Sequence, residues 1–347
     1  TDVSQPALMT APPEFADLVQ LGVSVELIDT KNIGKRLRMY QFAIDDRDVP
    51  LPVLTLTNRH INADGAVNEV IIKALTQLKS VFALDVAGTR IAVSGIGQAA
   101  TLRQLIGINL EVCPKVDDAA VEPLHQAERL RVVIAAGTDI GPAGLAHLAQ
   151  LPKLVAIDLE VCDNVSDTSC DVLAGMEQLR ALVLKKTGFE PNRISAAGLE
   201  KLAGLRNLKL LDLYGNSIND LTTKYLQAFE NLRDLDLSLT AITDKGLQSL
   251  TTLKKLTHLR LLYSEGFAGP KITNAGLSPI SKLGQLSHLN IVGAKVSDDG
   301  VADLIHLRRL KHLTLIGSGI SVDGLIRLRT SLPDCAVVSE RSSTEIP

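Results

Sequence analysis

The sequence predicts an α/β solenoid, one short strand-plus-helix unit stacked many times, and three observations carry that prediction. The 347 residues are 46% hydrophobic but only 3% aromatic, with no Trp and 57 Leu. A globular core normally relies on several large aromatic fillers, so this interior is tiled by one small aliphatic unit. An apolar frame recurs with a basic period of 24 residues, best seen at 232–253 (LRDLDLSLTAITDKGLQSLTTL). Its fourth position falls at Leu54, Leu84, Ile108, Val133, Ile157, Leu182, Leu211, Leu235, Leu259, Leu289 and Leu313, eleven copies in phase. Fixed-period self-similarity of this kind marks a repeat architecture and overrides any domain count taken from length.

Taken in chain order, residues 1–13 are rich in Pro, Ala and small polar residues and read as a flexible leader. Residues 14–50 read as an N-terminal cap. Phe15, Leu18 and Leu21 have helical spacing and lead into Gly22 as a C-cap, and residues 23–27 and 38–44 read as a hairpin around Asn32 and Gly34. The array covers 51–338, closing on a half-repeat at 332–338, and 339–347 is a polar, flexible tail.

Two periodicities define each copy. L-x-L is a short strand with alternate side chains facing inward. The segment I-[ST]-D-x-G-L-x-x-L-x-x-L carries apolar residues three apart, as on one helix stripe. Ser166, Ser195, Thr243, Thr273, Ser297 and Ser321 precede that stripe as N-caps. Asp167, Asp244 and Asp298 follow in the first turn, where a negative charge suits the helix dipole. Such a unit cannot bury its apolar face alone, so neighbours stack, strands along one side and helices along the other. Six extra residues after Ile61 are expected to lengthen the first helix.

These motifs resemble the leucine-rich repeat family, closest to its cysteine-containing, ribonuclease-inhibitor-like class. The Cys form stands at 111–117 (EVCPKVD) and 160–167 (EVCDNVSD), and the Thr form of bacterial relatives at 137–140 (GTDI) and 239–244 (LTAITD). The resemblance implies a right-handed horseshoe solenoid with parallel strands on the concave face and short helices on the convex face. It also implies that the ninth repeat position (Thr89, Cys113, Thr138, Cys162, Thr187, Asn216, Thr240, Ser318) points inward where the chain leaves the strand. A small donor or acceptor there satisfies backbone groups of the turn. The four cysteines are therefore expected to be structural, and too few for a disulfide scaffold.

Chemistry is sparse. The phosphate-loop, H-E-x-x-H and Cys-x-x-Cys patterns are missing, and carboxylates on an open face stay solvated, so no enzyme, cofactor or catalytic residue is expected. A net charge of −3 argues against a general nucleic-acid binder, and no apolar run reaches membrane-spanning length. The chain begins at Thr1, so export or a cell-envelope location after loss of a leader is one expectation, and the absence of disulfides makes the cytoplasm the alternative.

What remains is binding. The third repeat position holds Asp234, His258, His288 and His312 on adjacent strands. Three stacked histidines are a candidate partner contact, with a metal- or ligand-binding, pH-sensitive site as the alternative. The fifth position includes Asp212, Asp236, Arg260 and Asn290, and the seventh includes Tyr214, Leu262, Val292 and Ile316, with Tyr263 beside them. Two insertions that add five and six residues, at 185–193 and 263–271, each carry Gly-Phe followed by Pro and place Phe189 and Phe267 at candidate contact loops. Tyr and Arg are common interface anchors. The function expected is therefore a monomeric, non-enzymatic scaffold that binds a protein partner through its concave face and inserted loops. A regulator or inhibitor of an enzyme is a further alternative.

Overall fold

The computed structural model describes residues 12–28, 50–185, 194–263 and 272–340. The chain forms two compact units, Thr1–Asp158 and Leu159–Pro347. The first begins with a 3-10 turn Pro13–Phe15 and helix α1 (Ala16–Gln20). Phe15 and Leu18 are buried, and Gly22 ends the segment at φ +82°, a left-handed conformation that glycine adopts without a Cβ clash. Strand β1 (Ser24–Ile28) then pairs antiparallel with β2 (Leu51–Thr55), the strand of the first repeat. The second arm expected for the cap hairpin lies outside the described residues. Parallel pairing continues through β3 (Phe82–Asp85), β4 (Leu105–Asn109), β5 (Val132–Ile134) and β6 (Ala156–Asp158). Helices α2 (Glu69–Thr76), α3 (Val93–Ala100) and α4 (Pro142–Leu148) return the chain between strands.

In the second unit the parallel strands are β7 (Ala181–Val183), β8 (Leu210–Asp212), β9 (Asp234–Asp236), β10 (His258–Leu262), β11 (His288–Val292), β12 (His312–Ile316) and β13 (Ala336–Ser339). Their connections carry α5 (Ser169–Ala174), α6 (Ala196–Leu202), α7 (Asp244–Leu247), α8 (Asn274–Ser281), α9 (Val301–Leu304) and α10 (Val322–Ser331). Every fourth-position residue lies in a strand and is buried, and in each unit those residues pair with one another in register: Leu54, Leu84, Ile108, Val133 and Ile157, then Leu182, Leu211, Leu235, Leu259, Leu289 and Leu313. A one-residue slip would turn this column outward, so the hydrophobic pattern pins the register.

The helical halves differ from expectation in three ways. After β4 and β8 the return is a 3-10 helix, Glu122–Gln126 and Thr223–Ala228, the first opened by Pro123, whose missing N–H is harmless in a first turn. The extra residues after Ile61 leave α2 at eight residues, the same length as α3. They form a small loop instead, closed by an antiparallel bridge from Ile61 to Val67. Of the expected N-caps, Ser195, Thr243, Thr273 and Ser321 accept first-turn N–H groups, whereas Ser166 lies upstream of α5 and Ser297 starts a 3-10 turn without capping it.

The aspartates of the I-[ST]-D motif serve the neighbouring repeat, which the sequence reading assigned to their own helix dipole. Asp167 accepts the Ser195 N–H and hydroxyl, Asp244 those of Thr273, and Asp298 those of Ser321. Asp220 accepts from Thr243 N (2.7 Å), Thr243 Oγ1 (2.6 Å) and Gly246 N (3.0 Å). The motif glycine follows from this contact: a Cβ on Gly246 would sit 2.5 Å from Asp220 Oδ1.

The ninth-position reading holds at the described positions it can be checked on. Thr89, Thr138, Thr240 and Ser318 donate to the carbonyl three residues earlier, Asn216 donates to Leu184 O and Leu213 O, and Cys113 Sγ donates to Val86 O. All four cysteines are buried thiols, and burial, aided by Asp167, pushes Cys170 up to about 12. Burial likewise raises Cys113 and Cys335, so these three thiols hold little of the thiolate needed for reactivity.

The eighth position turns the chain out of the strand through a left-handed residue: Gly88, Gly137, Gly215, Gly293 and Gly317, but also Val112 (φ 53°), Val161 (φ 57°) and Leu239 (φ 50°). A β-branched residue there is strained. Val112→Gly, at a side chain 60% exposed and so with little packing to lose, is expected to stabilise the chain by about 1 kcal/mol, the strain relieved less the entropy glycine loses on folding. Urea midpoints of the two proteins check this, and a lower midpoint for the variant contradicts it.

Candidate functional site

Strand alternation sends positions 4 and 6 of each repeat into the core and leaves 3, 5 and 7 on the opposite face. On β10, β11 and β12 this yields a grid of nine half-exposed or exposed side chains in register. His258, His288 and His312 form the first column, Arg260, Asn290 and Thr314 the second, and Leu262, Val292 and Ile316 the third.

The histidines stack. Ring centroids of His258 and His288 lie 4.2 Å apart at an interplanar angle of 10°, and those of His288 and His312 lie 4.5 Å apart at 25°. The hydroxyls of Thr257 and Ser287 each meet the Nδ1 of the following histidine at 2.9 Å, which holds two of the three rings in orientation. These hydroxyls were missed by sequence reasoning, although the Thr-His and Ser-His dipeptides recur at one repeat position and carry the signal. Parallel stacking lays the ring nitrogens side by side instead of aiming them at one point. Among the described residues no group of three or more His, Cys, Asp or Glu side chains is placed to hold a metal ion.

Burial, then the neighbouring His258 and His312, and then Arg260 hold His288 at about 4, below its ordinary 6.5, with Asp234 opposing. Between those two values the unfolded chain binds the proton and the folded chain does not, so stability falls as pH drops from about 6.5 to about 4. After allowance for screening at a half-exposed ring, the loss is about 1–2 kcal/mol. Urea midpoints at pH 7 and pH 4.5 should therefore converge more closely for His288→Gln than for the parent. An equal drop in both proteins would remove His288 as the cause.

Arg260 crosses to β9 and grips Asp234 at 2.6 and 3.4 Å, with Asp236 at 4.0 Å. Asp212 and Asp236, expected as partner contacts, are buried (7% and 8% exposed) and accept the N–H of Tyr214 and Ser238 two residues on, a tight turn that closes each strand. Burial pushes the Asp236 carboxyl up, against Ser238 and Arg260. Asp85 and Asn109 make the same turn in the first unit, so the acidic fifth column is first a strand-ending device.

Tyr214 is half-exposed, with Lys185 Nζ 5.0 Å above its ring and 2.6 Å from Glu160. Tyr263, expected beside the exposed cluster, is buried at 6%. Its backbone is not left-handed, unlike Val112, Val161, Leu239 and the glycines at the same repeat position, so alternation carries the side chain inward with Leu259 and Leu261. Phe189 and Phe267 lie outside the described residues.

No protein-family profile and no curated protein sequence matches the chain. Solved structures do. An internalin (InlF) from Listeria monocytogenes is similar at 19% identity and a TM-score of 0.55, over 87% of each chain. A chain of the mouse RP105/MD-1 complex is similar at 16% identity and a TM-score of 0.52, over 78% of this chain and 47% of that one. The fold is an α/β leucine-rich-repeat solenoid. Within this solenoid, among the described residues, no helix is long and apolar enough to cross a membrane.

Proposed function

We propose that this solenoid is a non-enzymatic scaffold that binds a partner protein through the exposed strand face of β10, β11 and β12. The observation that supports the reading is the grid itself. An apolar column (Leu262, Val292, Ile316) runs beside a polar column and a histidine column, the mixture of apolar core and polar rim that suits protein contact. Tyr214 extends the surface on the seventh column. Phe189 and Phe267, on the two insertions, are proposed as further contacts. One of the similar structures is a complex of two named proteins, RP105 and MD-1, which accords with the reading. The histidine stack adds a second element: protonation would place like charges about 4.2–4.5 Å apart, so binding that orders the stack is proposed to weaken in acid.

The test is capture from the source organism with the parent chain and with an Arg260→Ala, His288→Ala, Val292→Asp variant, each verified as folded. Partners retained by the parent and lost by the variant support the strand face. The same partners in both would sink it.

A further inference from the structure

The strand-starting edge of the second unit carries charge that the fold does not need. In consecutive repeats this edge holds Arg206, Lys209, Arg233 and Lys254, half-exposed or exposed, and none of the four makes a side-chain hydrogen bond or ion pair among the described residues. Lys209 and Arg233 occupy the same repeat position on neighbouring segments, with Arg233 N bonded to Lys209 O at 2.8 Å. Like charges at this spacing destabilise a sheet. The next two repeats show the neutral solution at that position. Thr257 and Ser287 stand there, and their hydroxyls bond the preceding repeat's carbonyl, Arg233 O at 2.9 Å and Thr257 O at 3.1 Å. The turn itself is stapled by amides: Asn207 donates to Glu177 O and Asn231 to Arg206 O. Within the edge segments themselves, residues 204–209, 228–233 and 252–257, the acid is Glu230, against Arg206, Lys209, Arg233, Lys254 and Lys255.

We infer that this edge binds an acidic, extended segment of a partner protein. The inference rests on the scaffold reading above and adds the partner's chemistry. Four cations over three repeats, about 4.8 Å apart from repeat to repeat, lie within reach of carboxylates on alternate residues of an extended chain, about 7 Å apart, because Lys and Arg stems are long and adaptable. Carboxylates are favoured over a nucleic acid for two reasons. Single-stranded nucleic acids bind where aromatic rings stack the bases, and this chain is 3% aromatic, with no ring at any of the four positions. A net charge of −3 also opposes long phosphate chains, whereas a short acidic segment samples only the local edge.

The experiment is fluorescence anisotropy of labelled decaglutamate with the full chain, its Arg206→Gln, Lys209→Gln, Arg233→Gln, Lys254→Gln variant, and the strand-face variant above. Thermal unfolding verifies that each is folded. The edge variant is expected to bind at least about tenfold more weakly, and added salt is expected to weaken the parent's binding. Equal affinity for parent and edge variant overturns the inference, as does a decanucleotide of uridine that binds the parent more tightly than decaglutamate. A strand-face variant that loses captured partners yet binds decaglutamate like the parent supports the edge while separating it from the grid.

Discussion

Tyr263→Ala is expected to lower the unfolding free energy by about 3–5 kcal/mol, the cost of deleting a buried aromatic ring. Tyr263 extends the inward series Leu259 and Leu261, and its N–H bonds Val292 O at 2.8 Å in the β10–β11 ladder. Its hydroxyl is buried and has no hydrogen-bond partner among the described residues. Burial, with Asp236, Asp244 and Asp220 nearby, drives the phenol pKa far above its ordinary 10, so the group stays neutral. An orphaned buried hydroxyl costs free energy, and Tyr263→Phe is expected to stabilise by about 1 kcal/mol. Urea denaturation of the three proteins measures both signs. A neutral Tyr263→Ala would return the ring to the solvent-facing surface.

Asp220→Ala is expected to cost about 2–4 kcal/mol, because three donors at the start of α7 lose their acceptor together. Asp220→Asn is expected to cost less than about 1 kcal/mol, since an amide keeps an acceptor oxygen and can donate to the hydroxyl oxygen. The chain itself holds that solution: Asn274 Oδ1 accepts Ser297 N at 2.9 Å and Asn274 Nδ2 donates to Ser297 Oγ at 2.8 Å. Equal losses for Ala and Asn would show that an amide does not replace the carboxylate here, and no loss in Asp220→Ala would show that its contacts to the next repeat carry no stability.

Legibility followed the range of the interaction. The strand positions were readable because burial of one column repeats every 24 residues and is therefore printed in the pattern, as Leu211, Leu235 and Leu259 show. The candidate site was half readable. The His258, His288 and His312 column follows from the same register, but neither the stacking nor the Thr257 and Ser287 hydroxyls that orient it do. Tyr263 was misplaced because its direction depends on one backbone dihedral. Where Gly215 or Leu239 turns left-handed the strand ends, and where Tyr263 does not, alternation runs one residue further inward.

The aliphatic 24-residue period determined by itself that this chain is a stacked α/β solenoid with Leu, Ile and Val in place of large rings, since apolar periodicity encodes which side chains leave water. The tertiary structure alone decided which partners the polar groups take. Asp244 looks like a first-turn charge for its own helix, yet its carboxylate accepts the N–H and hydroxyl of Thr273, the N-cap of α8 in the following repeat. Asp212 and Asp236 look like contact residues, yet they close strand ends. Hydrogen bonds are short and directional, so a polar side chain's role is set by the donor that packing brings within about 3 Å, which periodicity does not specify.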